Sequence, residues 1–124
     1  MPRFAILEHT GAPDDAAGRH FDLLIEAGEA CRTWRLAALP EPDGPPVAAV
    51  ELPPHRLAWL DHGAGEVSGG RGFARRVACG AYHLLCGDLA GQNTATDLVI
   101  GGVINGRRLR LARSSGGWVA SVDR

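Results

Sequence analysis

The chain has 124 residues, 45% of them hydrophobic and 22% charged, with a formal net charge of −1; this excludes a disordered polymer and suits one domain with a single core. All 13 fixed cations are arginines, and they are unevenly spread: residues 1–66 hold eleven acids and five arginines, residues 67–124 three acids and eight, a hint of one basic face. No apolar run nears the roughly 18 residues of a spanning helix, Met1-Pro2-Arg3-Phe4 lacks a signal-peptide layout, and Cys31, Cys79 and Cys86 show no CxxC spacing, so the expectation is a cytoplasmic protein without membrane segment, disulfide framework or zinc knuckle.

In chain order, Arg3 to His9 and Arg19 to Glu26 read as β-type runs separated by a Gly/Pro/Asp loop, Thr10 to Gly18, and predict an antiparallel pair. Cys31 to Ala37 and Val47 to Leu52 are further strands, split by the loop Pro40-Glu41-Pro42-Asp43-Gly44-Pro45-Pro46. The two prolines that open Pro53 to His62 suit the start of a helical turn, and Gly63 to Gly72 is too rich in glycine for regular structure. Phe73 to Ala78 and Ala81 to Cys86 read as strands on either side of Gly80. Leu98 to Ile104 and Arg108 to Arg113 flank Asn105-Gly106-Arg107, a strong hairpin signal because Asn and Gly both accept positive φ. Ser114 to Gly117 then turns into a last strand, Trp118 to Val122. Eight or nine short strands with one or two helical turns predict an all-β fold, a small closed or partly open β-barrel of about eight strands, as a single domain over residues 1–124. The cysteines are expected to be small buried or half-buried residues, and Trp34, Trp59 and Trp118 to serve as core or cleft-wall residues.

The segment His20-Phe21-Asp22-Leu23-Leu24-Ile25-Glu26 alternates strictly. Strand side chains point to opposite faces with period 2, so His20 and Asp22 emerge side by side, with Leu24 on the same face. If Arg3 to His9 pairs antiparallel with this strand, His9 reaches the same patch. Two imidazoles and one carboxylate are suitable ligands for Mn²⁺, Fe²⁺ or Zn²⁺ and leave positions open for water or substrate. His9, His20 and Asp22 are therefore the expected metal ligands, grouped within about 5 Å at one mouth of the barrel.

Taken together, Phe4-Ala5-Ile6-Leu7-Glu8-His9, Gly18-Arg19-His20-Phe21-Asp22-Leu23-Leu24-Ile25-Glu26-Ala27-Gly28 and Thr33-Trp34-Arg35-Leu36 resemble the opening of the 3′-phosphoesterase domain of bacterial DNA ligase D. The similarity continues through Val50-Glu51-Leu52-Pro53-Pro54-His55-Arg56-Leu57-Ala58-Trp59, the glycine-rich Gly63 to Gly72, and Asn105-Gly106-Arg107-Arg108-Leu109-Arg110-Leu111 through Trp118. The resemblance implies a manganese-dependent enzyme that trims nucleic-acid 3′ ends, removing a terminal ribonucleoside or a 3′-phosphate, with Zn²⁺ as an alternative occupant of the site. It implies DNA 3′ ends as partners, with or without a terminal ribonucleotide, and separate ligase or polymerase proteins. By position it makes His9, His20 and Asp22 the metal ligands and gives His55 the scissile phosphate or the role of general acid, facing the metal cluster with Trp59 lining the same cleft.

The chain departs from that family where an arginine gives way to Leu24, a tyrosine to Trp59, a second arginine to Val47 and a glutamine to Leu7, and its loop from His9 to His20 is longer. Loss of guanidinium contacts to a transferring phosphoryl group costs orders of magnitude in rate. Leu24→Arg is accordingly expected to raise activity. Arg71, in a glycine-rich loop able to form an anion nest, and Arg75 are the candidate replacement phosphate ligands; Arg76 points the other way from Arg75, and Arg108 and Arg110 share a face of their strand. Two further readings stay open: a 3′-end-binding module that retains the metal without catalysis, and a phosphoesterase for small molecules using the same site. His62 and His83 are read as structural or surface residues.

Overall fold

In the computed structural model, which describes residues 2–86, 99–104, 106–114 and 117–123, the β-type runs form strands. Nine are present among the described residues: β1 (Arg3–Thr10), β2 (Arg19–Ala27), β3 (Ala30–Leu36), β4 (Val47–Arg56), β5 (Ala64–Glu66), β6 (Phe73–Cys86), β7 (Val99–Ile104), β8 (Arg107–Ser114) and β9 (Gly117–Val122). The helical content among the described residues is one 3-10 segment, Leu57–Asp61. Eight strands close a wholly antiparallel barrel in the order β1-β2-β3-β4-β9-β8-β7-β6, β6 returning to β1, and β5 is appended to β6. No described helix is long and apolar enough to cross a membrane.

Period-2 alternation sets the interior. Phe4 and Ile6 of β1, Phe21, Leu23 and Ile25 of β2, Trp34 and Leu36 of β3, Leu109 and Leu111 of β8, and Ala120 and Val122 of β9 fill the barrel. Trp34 and Trp118 meet edge to face with centroids 5.2 Å apart, a geometry worth about 0.5–1.5 kcal/mol beyond the area it buries. Gly80 does not divide β6, as the sequence suggests it would, because the Phe4 ring occupies the space of a side chain there: a Cβ at Gly80 would lie 3.3 Å from Phe4 Cε1. β6 is instead one strand of 14 residues, pairing first with β1 and β5 and then with β7.

A second apolar layer lies outside the barrel. Ala5, Leu7, Leu24 and Cys31 of the outer wall are buried beneath Leu60, with Leu57 and Trp59 alongside. The 3-10 segment is pinned over them from both sides: Arg76 donates to the Leu60 carbonyl at 2.9 Å, His62 Nε2–H to the Ala74 carbonyl at 3.0 Å, and Arg3 pairs with Asp61 at 2.9 Å.

Three local expectations are corrected. Pro53 and Pro54 do not begin a helix; they belong to β4, at an irregularity where the pairing passes from Thr33↔Leu52 to Cys31↔His55 and skips both prolines. A residue without N–H is tolerated in a strand where no ladder bond is required of it. The glycine-rich stretch does hold regular structure, the three residues of β5. Cys31 is buried, but Cys79 is exposed, because it lies on the wall that faces away from the barrel core. The hairpin around Gly106 forms, with Leu109 and Leu111 inward and Arg108 and Arg110 outward; Leu98, Asn105 and residues 115–116 lie outside the described residues.

Candidate metal centre

The pairing of β1 with β2 places His9 directly opposite His20 and Leu7 opposite Asp22. Phe4, Ile6, Phe21, Leu23 and Ile25 point into the barrel, so His9, His20 and Asp22 all project from its outer face. The predicted cluster exists, its ligand atoms lying within 4.8 Å of one another, on the outer face of the wall near the hairpin end of β1 and β2. The closed interior is filled with hydrocarbon, which leaves no place for three polar groups to converge there.

Each imidazole is oriented by a partner on its far side. His20 Nδ1 is 2.9 Å from Asp15 Oδ2, and the hydrogen bond from His20 is the largest cause of the lowered pKa of Asp15, assisted by the N–H of Ala17. A carboxylate accepts, so His20 Nδ1–H donates to Asp15, and in the neutral ring Nε2 is left with a lone pair 3.4 Å from Asp22 Oδ2. His9 Nε2–H donates to the carbonyl of Arg71 at 2.7 Å, which leaves His9 Nδ1 with a lone pair 3.7 Å from the same oxygen. Two nitrogen lone pairs and an anionic oxygen converge. His20 is 2% exposed and Asp22 7%, and His20 Nε2 and Asp22 Oδ1 are both enclosed without a hydrogen-bond partner. An unpartnered buried polar group costs about 1–3 kcal/mol, and mutually facing acceptors repel. A divalent cation among them satisfies all three atoms, and the carboxylate–imidazole–metal relay from Asp15 is the usual means of fixing a ligating histidine. The residues fit a metal ion.

Asp15 and the Arg71 carbonyl were not legible as parts of the site. Asp15 sits at the centre of a turned loop between β1 and β2, its Oδ1 accepting from Ala17 N at 3.1 Å, and the Arg71 carbonyl arrives from 62 residues along the chain. Gly72 makes that approach feasible: with φ +96°, a Cβ there would stand 2.1 Å from the Thr10 carbonyl oxygen.

A cleft of about 610 Å³ opens over the cluster, lined among others by His9, Asp22, Leu24, His55, Trp59 and Arg71. His55 Nδ1–H donates to the Pro53 carbonyl at 3.1 Å, capping the Pro-Pro bend and leaving Nε2 unengaged. Arg71 also lines the cleft, with Nε donating to the Ser68 carbonyl at 2.7 Å and Nη2 to the Ser68 hydroxyl at 3.1 Å. Arg75 is not brought into the cleft. Its register partner is Glu8, to which it pairs at 3.0 Å on the face opposite His9, which withdraws it from the role expected of it. Leu24 lines the cleft but is 0% exposed, part of the apolar layer under the 3-10 segment. Trp59 packs against His62 at a 45° tilt with centroids 4.8 Å apart, and His83 is exposed on β6.

Arg35 also lines the cleft. It stands directly opposite Asp22 on β3, a placement that only strand register reveals. No protein-family model matches the chain, and no curated protein matches it.

Proposed function

We propose that the chain is a metal-dependent phosphoesterase of the ligase D 3′-phosphoesterase type, acting on nucleic-acid 3′ ends with Mn²⁺ as its metal. The observation that carries this reading is the convergence of His9 Nδ1, His20 Nε2 and Asp22 on one point at the floor of an open cleft, with both imidazoles turned there by hydrogen bonds on their other nitrogens. The order of the sequence blocks along the chain supports the family likeness.

His9, His20 and Asp22 would hold the metal, which when bound supplies Lewis acidity to a phosphoryl oxygen and lowers the pKa of a coordinated water. His55 is held by its Nδ1–H bond to Pro53 so that Nε2 is the atom available to give or take a proton. The apolar layer beneath Leu57 and Trp59 gives the cleft one dry wall, against which a sugar or base can rest.

One observation favours a second reading, a catalytically weakened 3′-end-binding module. Leu24 is fully buried in apolar surroundings and offers no donor where the resembling family carries an arginine.

Calorimetric titration with Mn²⁺ and Zn²⁺, followed by incubation with primers ending in 3′-phosphate or a 3′-ribonucleotide, tests the proposal. Expected are metal binding and metal-dependent removal of the terminal group, both lost in Asp22→Ala. A metal-loaded protein that binds 3′-phosphate ends in preference to 3′-hydroxyl ends without cleaving them leaves the binding module as the function. Absence of metal binding removes both readings.

A further inference from the structure

We propose that Arg35 is the anion-recognition residue of this cleft and that Asp14 holds its guanidinium until an incoming phosphate group takes Asp14's place. The inference rests on the metal-centre reading above and names the residue that would contact the anionic part of its substrate.

Directly opposed residues of an antiparallel pair share a face, with Cβ atoms about 4.5–5.5 Å apart. Asp22 and Arg35 are such a pair, so a cation is built into the wall immediately beside the central carboxylate of the cluster. The next position in that row, Val50 of β4, is 61% exposed, and the guanidinium is therefore open to solvent on that side. The Arg35 side chain is 31% exposed, and the salt bridge it makes is 3.6 Å from Nη2 to Asp14 Oδ2. Charge-assisted N–H···O bonds run about 2.7–2.9 Å, so this contact is long, and Asp14 is itself 71% exposed on its loop. Arg35 Nε is enclosed with no hydrogen-bond partner. A guanidinium with five donors thus has one carboxylate within ion-pair distance, loose and solvent-screened, while Asp15 acts on it only at longer range.

The other arginines lining the cleft are placed differently. Arg71 spends Nε and Nη2 on Ser68. Arg56 pairs with Ala30 at the far end of β3, five residues from Arg35, roughly 16 Å along the strand at about 3.3 Å per residue. Arg35 is the cation both adjacent to Asp22 and short of partners. Its planar fork suits a phosphate held partly by the metal, and such a phosphate offers it shorter, bidentate contacts than Asp14 does.

The arrangement has a signature with two opposite signs. Arg35 repels a cation bound at Asp22 and attracts an anion bound beside it. Arg35→Met keeps the aliphatic stem and removes the charge. In the metal-free protein titrated with Zn²⁺ at low ionic strength, the variant is expected to bind the metal as tightly as wild type or more tightly. In the Zn²⁺-loaded protein titrated with inorganic phosphate and with a 3′-phosphorylated oligonucleotide, it is expected to bind the anion at least tenfold more weakly. Asp14→Asn should bind phosphate a few-fold more tightly than wild type. A residue with a merely structural role would lower both affinities together.

Phosphate affinity of Arg35→Met within twofold of wild type, parallel loss of metal and phosphate binding, or weaker phosphate binding by Asp14→Asn would each overturn the inference. Should Arg35→Met fail to fold, Asp14→Asn decides alone: tighter phosphate binding upholds the assignment, and unchanged or weaker binding ends it. The two levels fail separately. Anion binding that depends on Arg35 in a protein that cleaves no 3′ end removes the hydrolytic reading and keeps this one, whereas cleavage unaffected by Arg35→Met does the reverse.

Discussion

Substituting Gly72 by alanine tests whether the glycine-rich loop is part of the metal centre. A Cβ at this position would stand 2.1 Å from the Thr10 carbonyl oxygen and 2.8 Å from the Gly11 carbonyl carbon, whereas carbon and oxygen approach no closer than about 3.3 Å even in favourable C–H···O contacts. The backbone must separate by roughly 1 Å, and alanine must also hold φ near +96°, a strain of about 1–3 kcal/mol. Two hydrogen bonds straddle the residue, Val67 N–H to the Gly72 carbonyl and His9 Nε2–H to the Arg71 carbonyl, each 2.7 Å. A shift of roughly 1 Å takes both beyond bonding distance, and each contributes about 0.5–1.5 kcal/mol. The expected loss of stability is about 2–6 kcal/mol, read as a fall in Tm of at least about 6 °C. Metal affinity should fall about 10–100-fold, because His9 loses the partner that sets its tautomer. Gly70→Ala is the control: its φ is +69° with nothing within 4 Å of the added Cβ, so it should cost about 1–2 kcal/mol and leave metal affinity unchanged. Calorimetric metal titration and thermal melts of both variants make the comparison. Equal metal affinity in the two refutes the link from loop to site.

Asp15→Ala removes the acceptor of His20 Nδ1–H and should weaken Zn²⁺ or Mn²⁺ binding about 10–100-fold while far-UV circular dichroism stays that of the wild type; an unchanged affinity would show that Asp15 does not orient His20. Leu24→Arg, which the sequence recommends as a gain of function, should instead destabilise the fold by several kcal/mol, since it drives a guanidinium into a site of 0% exposure among Ala5, Leu7, Cys31 and Leu60; a melt no lower than wild type, with higher activity on 3′-phosphate ends, would restore the earlier expectation. Burial pushes the Cys31 thiol up from 9.0 to about 11, so near pH 8 iodoacetamide should label exposed Cys79 and spare Cys31 in the folded protein, as peptide mass mapping would reveal. The folded state then holds the Cys31 proton more tightly than the unfolded one, and stability, undiminished below pH 9, should decline as pH rises toward 11.

The barrel was legible because alternation survives on its hairpin strands. His20-Phe21-Asp22-Leu23 announces which face is polar, and Asn-Gly announces a turn. Sequence also identified the three residues of the His/His/Asp cluster, since two come from one strand and the third from its hairpin partner, where local register suffices. The placements missed beyond the first hairpin depended on the register of further strands. Arg35 becomes neighbour to Asp22 only through β2–β3 pairing, the Arg71 carbonyl reaches His9 only because β6 returns to β1, and Arg75 falls away from the cleft because that same register sets it against Glu8. Proline was misread for a related reason: its effect depends on whether the neighbouring strand asks for its N–H, and β3 does not.

The misreading of Leu24 follows from the outer layer. A strand with one face in a barrel core and the other in water alternates to its end, but β1 and β2 run as Phe4-Ala5-Ile6-Leu7 and Leu23-Leu24-Ile25, buried on both faces. Continuous apolar runs mark strands covered on both sides, and the cover here is the 3-10 segment pinned by Arg76, His62 and Arg3. Further along the same two strands the outer face turns to Asp22, His20 and His9, at the point where the cover gives way to the cleft. The His/His/Asp cluster therefore lies at the margin of a hydrophobic layer, with apolar walls on one side and open solvent on the other. On β3 the layer takes in Cys31 but not Arg35, whose side chain stays 31% exposed opposite Asp22 and beside exposed Val50.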